Sequence, residues 1–447
     1  MTQKFLKLFI ILLPFLGISQ EIPTSFTLQE AIDFALQNNR QAINAERDIE
    51  AAKAQKWETT ASGLPQINAS VDYQNFLKQQ VQLLPAEFFG GATGEFAEVV
   101  FGTKQNMNAT ATLSQKVFDG SYIVALQSAK VFLQISQNAK YKTDLEVRKA
   151  VINAYGNVLL AEESIEILQR NLEVLEKNLN ETTKIFENGL AEEESVEQLK
   201  ITLAGVESSL NNSTRMEKLA YQMFNMTLGI AINRPTELTD DLEHLSRENI
   251  AMDLLENQAD VTNTIDYKIA ENEKVSKELM LKLEKSKALP SLNAFLNGGY
   301  SAFSDNFSFL RKDQDWFGSS LFGVSLNIPI FSSGMRSAST QRAQINLEKS
   351  KTDLIEKEQR IQLDIASAKS DYRFAIEDLG IKKQSLDLAQ RIEDKNQTKF
   401  FEGISSSFEL RQAQTQLYSA QQQYLQAMLD VIKAKAALET ALNVIVE

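Results

Sequence analysis

Two periodicities divide the chain. Apolar residues return every seventh position at Val151, Val158, Ile165, Leu172, Leu179 and Phe186, beside a second series of Val147, Ala154, Ala161, Leu168 and Leu175. The spacing recurs later, with Leu347, Leu354, Ile361, Ala368 and Ala375 in one series and Ile365, Tyr372, Leu379 and Leu386 in the other. A heptad pattern sustained this long predicts supercoiled helix packing. Proline agrees: none lies between residues 86 and 234, and none after Pro329. Its ring removes a donor and clashes with the preceding turn, so helix interiors exclude it. Taken as one helix, Ser121–Glu187 is about 100 Å long, further than any compact domain requires. The same periodicity also fits an ordinary coiled-coil rod.

Between the helices the period falls to two. Ile67, Ala69, Val71 and Tyr73 alternate with polar residues over 66–74, and Met107, Ala109, Ala111 and Leu113 do so over 106–114. Leu292, Ala294 and Leu296 alternate with Ser291, Asn293 and Asn297, although Phe295 interrupts the polar side. Phe322, Val324, Leu326, Ile328 and Ile330 form a fourth set. These predict four strands, each with one apolar and one polar face. The polar face is mostly Asn, Ser, Thr and Gln, which suits a water-filled lumen.

The chain also matches itself. Residues 39–69 align without a gap onto 264–294, with Leu64-Pro65-Gln66-Ile67-Asn68-Ala69 falling on Leu289-Pro290-Ser291-Leu292-Asn293-Ala294. Phe186-Glu187-Asn188-Gly189-Leu190 matches Phe401-Glu402-Gly403-Ile404 with one deletion. Each half reads as helix, strand, strand, long helix, turn, helix. The expected organisation is a leader at 1–19, a first repeat at 20–230, a connection at 231–261 and a second repeat at 262–447. One helix is expected over Thr27–Ser62, opened by the capping box Thr27-Leu28-Gln29-Glu30 with Phe26 and Ala31 as a hydrophobic staple. A second is expected over Glu192–Gly229.

Lys4, Lys7 and the apolar run Leu8–Ile18 read as a secretory signal, with cleavage expected before Gln20; an uncleaved anchor is the alternative. No other stretch approaches the length of a membrane-spanning helix, so entry into a membrane would be as strands. Composition narrows the function. The chain has 447 residues, a net charge of −13, no Cys and one His. An acidic chain is a poor ligand for nucleic acid. Without Cys there is no disulfide, thiolate nucleophile or iron–sulfur cluster, and one His cannot build a His-rich metal site. No cofactor is expected, and no catalytic constellation supports an enzyme. Four strands cannot close a barrel. Two chains give a barrel whose interior side chains fill, and three chains give the smallest assembly that closes its edges and leaves a pore.

The opening Phe26-Thr27-Leu28-Gln29-Glu30-Ala31-Ile32, the two Leu-Pro-x-(Ile/Leu) segments leading into strands, Leu228-Gly229 after the first hairpin and the two turn glycines resemble the TolC-like outer membrane efflux proteins. The resemblance covers essentially the whole chain beyond the leader. It implies a mainly α fold with a small β part: a homotrimer whose strands form a 12-stranded barrel in outer membrane lipid, above a helical tunnel crossing the periplasm. It also implies partners, namely a periplasmic adaptor and an inner-membrane efflux pump or ABC exporter. The family exports small molecules; a role in type I protein secretion is an alternative, and a periplasmic helical adaptor or scaffold is the rival from another class.

By the family's motifs, adaptor contact carries over to Gly189, Leu190 and Ala191 and to Gly403, Ile404 and Ser405. The bland reading is that both glycines only terminate helices. Glu409, six residues after Gly403, matches an acidic position that narrows the tunnel in family members. Gln412 and Ser405 depart from the accompanying acidic and basic positions. Glu194, with Glu192, Glu193 and Glu197, is the first-half candidate, against a plain helix N-terminus that favours acids. Tyr73, Phe76, Tyr300 and Phe303 at one end of the strands, and Phe118 and Phe331 at the other, are candidate membrane girdles. The connections 77–103 and 304–317 read as extracellular loops, and His244 as a surface residue.

Overall fold

The computed structural model describes residues 23–256 and 260–444. The leader expected at 1–19 lies outside the described residues. A two-residue strand, β1 (Ser25–Phe26), leads into helix α1 (Leu28–Asn38). Thr27 caps α1 reciprocally: its hydroxyl accepts from the Glu30 N–H, and the Glu30 carboxylate accepts from the Thr27 N–H. Phe26 and Ala31, the expected staple, are both buried.

The single helix expected over Thr27–Ser62 is broken. It stops at Asn39 and restarts as α2 (Arg40–Ala61). Asn39 is extended, with ψ 133°, and its side-chain amide donates to the Thr227 carbonyl at 2.7 Å. The Gly229 turn presses on the same place, where a Cβ would lie 2.1 Å from the Asn38 carbonyl oxygen. Two adjacent asparagines are weak helix formers, and the tertiary contact decides where the helix yields.

Strands β2 (Gln66–Asn75), β3 (Val81–Pro85), β4 (Phe96–Val100) and β5 (Gln105–Asp119) come next. They are followed by the 68-residue helix α3 (Gly120–Glu187) and the 36-residue α4 (Glu193–Leu228). A connection carries β6 (Glu237–Leu238), which pairs in parallel with β1, then α5 (Leu242–Glu248) and α6 (Asp253–Glu256). The second half contains α7 (Ile265–Ser286), β7 (Ser291–Ser304), β8 (Phe317–Asn327), the 67-residue α8 (Met335–Phe401) and the 36-residue α9 (Ser407–Leu442). Leaving aside β3 and β4, which pair only with each other, the order helix, strand, strand, long helix, helix occurs twice. α2 and α7 are both 22 residues long, and the long helices differ by one residue.

The four expected strands form one antiparallel sheet in the order β2-β5-β7-β8. β5 and β7 run longer than the alternation suggests, while β8 stops before Ile328 and Ile330, which fall outside it. Pro329 has no N–H to give a ladder, which ends the strand there. The 77–103 connection is not bare loop, since β3 and β4 pair as a hairpin within it. Val81-Gln82-Leu83-Leu84-Pro85 does not alternate, so periodicity gives no sign of it.

Two compact units are each assembled from three stretches of chain. One takes the residues up to Arg40, Val147–Leu255 and Asp371–Ala437; the other takes Gln41–Glu146, Glu256–Ser370 and the residues from Leu438. The first is organised by aromatics. Phe26 packs edge-on against Phe34 and Phe224, with ring centroids 5.4 and 6.3 Å away, and Tyr155 packs on Phe224 at 5.7 Å. The fully buried Tyr155 hydroxyl lies 2.8 Å from Asp240 Oδ2 and 3.0 Å from the Phe26 carbonyl. Asp240 also accepts from the Leu28 N–H at 2.7 Å. Burial, reinforced by Asp240, raises the Tyr155 pKa, so the phenol stays a proton donor. In the second unit, Tyr122 donates to the Thr60 carbonyl at 2.9 Å and covers Gly63. Leu281, Ala343 and Leu347 form a small core there.

Gly229 has a left-handed φ of 85° as well as the contact to Asn38. Gly229→Ala is expected to destabilise the first unit by about 2 kcal/mol or more. Thermal unfolding followed by circular dichroism should show a lowered midpoint.

Candidate functional site

The register of the sheet sets its two faces. Ile67, Leu113, Leu296 and Phe322 stand directly across from one another, and so do Val71, Ala109, Tyr300 and Gly318. Opposed residues share a face, so the four apolar sets form one continuous surface. Asn68, Thr112 and Asn297 line up on the other side, where β8 adds Leu321, and Phe317 stands across from Ser301 on the same face. Neighbours bond there, with Ser70 Oγ 3.1 Å from Thr110 Oγ1 and Asn297 donating to Thr112 Oγ1 at 2.8 Å. Phe295, the interruption in the polar side, lies over Gly323, where a Cβ would meet its ring at 2.4 Å. One aromatic departs from expectation. Phe303 stands opposite Asn106 on the polar face, packed near Phe317, so it shares no face with Tyr73 or Tyr300. Tyr73 instead joins Phe307 and Phe309 of the loop between β7 and β8, with centroids 5.7 and 5.9 Å away. Among the described residues, β2 and β8 each have one edge without a strand partner.

The two helix turns share one geometry. After α3, Gly189 has φ 72°, its N–H donates to the Phe186 carbonyl, and the Leu190 N–H donates to the Ile185 carbonyl. After α8, Gly403 has φ 75°, with matching bonds to Phe400 and from Ile404 to Lys399. Both are glycine-dependent Schellman ends. The residue after the glycine commonly packs back on its helix in this motif, but Leu190 is 80% exposed and Ile404 71%. Ala191 and Ser405 beside them are half-buried.

Glu409 is exposed and sits in the first turn of α9. Its carboxylate accepts from the Ser405 hydroxyl at 2.6 Å and the Ser406 N–H at 3.0 Å, and its own N–H donates to Ser406 Oγ. This is a capping box. The Ser405 bond, then the Ser406 N–H, holds its pKa below the usual carboxylate range. Glu194 is exposed in the first turn of α4 and accepts from Gln198 Nε2 at 2.7 Å. Both acids therefore have local work at a helix N-terminus. His244 is exposed, 3.6 Å from Glu248.

A polar seam inside the first unit escaped the sequence reading. Ser164, Asn171 and Asn178 recur every seven residues on α3, and all three are buried. Asn171 donates to Gln421 Oε1 at 2.9 Å, and Gln397 donates to Asn178 Oδ1 at 3.2 Å. Glu393 and Gln414 are buried as well. Burial, then the charge of Asp394, raises the Glu393 pKa. The signal was available: a polar heptad runs three residues behind the Leu168 and Leu175 series.

Among the described residues no cluster of His, Asp or Glu could hold a metal ion, and no helix is long and apolar enough to cross a membrane. Comparison with solved structures finds the same fold in outer membrane channels. CusC aligns with a TM-score of 0.74 at 19% identity, covering 93% of this chain and 91% of its own. The CmeC channel of Campylobacter jejuni gives 0.72 at 16%, covering 93% and 85%. The open state of MtrE from Neisseria gonorrhoeae gives 0.71 at 19%, covering 93% and 89%. A search of curated proteins found no match. The family model for outer membrane efflux proteins matches residues 31–229 and 279–444, most of the chain. Its members are channels rather than enzymes, seated in the outer membrane with a large helical part in the periplasm. The chain belongs to the outer membrane efflux protein family.

Proposed function

We propose that three copies of this chain close one barrel and one helical tunnel, which receives small molecules from an inner-membrane pump through a periplasmic adaptor. The sheet carries this reading. It has one continuous apolar face, one face that is polar over β2 and β5 and mixed over β7 and β8, and two open edges. In lipid, unpaired strand edges are untenable, and three four-stranded sheets in a ring remove them all. The polar face then lines water and the apolar face meets lipid. The two halves, 20–230 and 262–447, act as repeats joined at 231–261, each supplying one hairpin to the wall.

The turns at Gly189–Ala191 and Gly403–Ser405 are the adaptor-contact tips in this reading. Their support is an aliphatic residue held outward, in both copies, at a turn whose left-handed conformation its glycine permits. Gly189→Trp or Gly403→Trp is expected to abolish export while leaving assembly and membrane insertion intact. Growth of a strain that depends on this channel, challenged with a toxic substrate, checks it; unchanged resistance refutes the docking assignment.

Glu409 is the main candidate for the pore constriction, with Glu194 as the alternative. Symmetry brings three like charges together, which attract cations and repel one another. Glu409→Gln separates charge from capping, because glutamine serves the capping box as well. Planar-bilayer recordings of the wild type should show cation selectivity, and Glu409→Gln should reduce it. Unchanged reversal potential and conductance would remove Glu409 from the constriction, and a loss with Glu194→Gln instead would move the ring to the first repeat.

A further inference from the structure

Three helices of the second unit enclose a cavity that no part of the proposed conduit uses. It has a volume of about 380 Å³ and opens between α2, α3 and α7. On α3 its wall includes Ala129, Phe132 and Ile135, and on α7 Leu279, Met280 and Leu283. Gln55, Lys56 and Thr59 of α2 form the remaining side. The space is left because small side chains share the wall: Ala125, Ser128 and Ser276 are too short to fill the gap between their helices. Thr59 lies seven residues before β2, and Leu283 eight before β7, so the cavity begins roughly 10 Å along the helices from the strands.

Its mouth is open. Phe132 is 46% exposed and Met280 55%. The helix that carries most of the wall is flanked on both sides by its own chain. Lys140 of α3 pairs with Glu46 of α2, and Tyr122 donates to the Thr60 carbonyl. On the other side Lys142 pairs with Asp266 of α7 at 2.6 Å, and Ser121 Oγ lies 3.3 Å from Ser286 Oγ. The elements with an open edge are β2 and β8, at the two ends of the sheet, so a second copy in a ring meets the chain there and not at α3. The opposite face of α3 carries the exposed Gln127, Lys130, Gln134 and Gln137, which confines the apolar character to the cavity side.

Charge gives the second indication. Acids outnumber bases by thirteen in the whole chain, yet no acid lines this cavity. Lys56 is the one charged residue of the wall, and its ammonium has no carboxylate partner among the described residues. A lysine lays its stem along apolar surface and keeps its head in water, so the cation marks the mouth and the aliphatic wall the interior. The fold does not impose this lining. Counted from the glycine that opens each long helix, Gly120 or Gly334, the places of Ala125, Ser128, Phe132 and Ile135 are taken on α8 by Ser339, Arg342, Asn346 and Lys349. The apolar wall belongs to the first repeat alone.

We propose that this cavity binds a single-chain anionic amphiphile, with its tail among Ala129, Phe132, Leu279 and Leu283 and its carboxylate or phosphate at Lys56. The volume is at the small end of ligand sites, which suits one chain and not the pair carried by a bilayer phospholipid. A neutral ligand would leave Lys56 unused, and a cationic one would meet it as a like charge. The helical part lies in the periplasm and the cavity begins close to the strands. Two sources therefore present the same chemistry: a compound on its way to export, or a single-chain lipid leaving the bilayer. The site lies within one chain and stands apart from how copies assemble.

The chain has no Cys, so one introduced thiol reports alone. Ser276→Cys puts it in the wall, and Gln134→Cys on the opposite face of α3 is the control. The full chain in phospholipid nanodiscs is treated with a methanethiosulfonate reagent, with and without decanoate or a single-chain lysophosphatidylglycerol. Saturable slowing of the Ser276→Cys reaction, with Gln134→Cys unchanged, is the expected result. Slowing by decanoate alone assigns a carboxylate compound, and slowing by the lysolipid alone assigns a membrane source. Lys56→Gln should raise the decanoate concentration for half-protection about threefold. Ala129→Phe, or Ser128→Leu on the same wall, should abolish protection while keeping helix content by circular dichroism. Equal protection by decanol or by decyltrimethylammonium overturns the anionic assignment. An unreactive Ser276→Cys without ligand shows a closed cavity, and absent or non-saturable protection shows an unoccupied one; either overturns the site.

Discussion

A strand edge must find a partner, and most of this molecule follows from the two edges that one chain leaves open. β2 and β8 end the sheet with unpaired N–H and C=O groups. In water those groups would be solvated; in a bilayer each would cost several kcal/mol. A channel chain with four strands therefore cannot complete itself. The apolar side would be the anomaly on an isolated sheet in water, while on the other side hydroxyls and amides are already bonded to one another across the strands.

The helices repeat the logic in another geometry. A heptad seam on α3 turns toward α4, where Leu168 and Leu175 pack with Leu199 and Val206. Within the chain α8 meets α9, where Ala389 packs with Leu417 and Ala420. One seam per helix satisfies a two-helix hairpin. A tunnel wall needs two seams per helix, because each helix has a neighbour on either side. On α8 the exposed Phe374, Ile381 and Leu388 stand seven residues apart, the spacing of such a second seam.

Much of this was legible in the sequence because periodicity reports burial. The long helices, the four strands and their apolar faces all follow from spacing alone, and both turn glycines stand where the two halves match. What was not legible lay in contacts distant along the chain. The break at Asn39 is set by Thr227 and Gly229, and no local pattern announces it. The position of Phe303 depends on register against β5, whereas the sequence reading used only its distance along the strand. Glu409 is the opposite case. Ser406-Phe408-Glu409 lies within the signature of a capping box, readable three residues apart, but the family's pattern drew attention to the pore instead. The Asn171 and Asn178 series has the same seven-residue spacing, but polar residues at that spacing do not by themselves distinguish a buried seam from a solvated face.

That polar seam gives the first unit an unusual thermal character. Exposing apolar surface raises the heat capacity of unfolding, and exposing amides lowers it. A bundle whose buried layers include Asn171, Asn178, Gln414 and Glu393 thus unfolds with a smaller heat-capacity change than a leucine-filled bundle of the same size. Its stability curve is correspondingly flatter, so warming or cooling by a given step alters its free energy less.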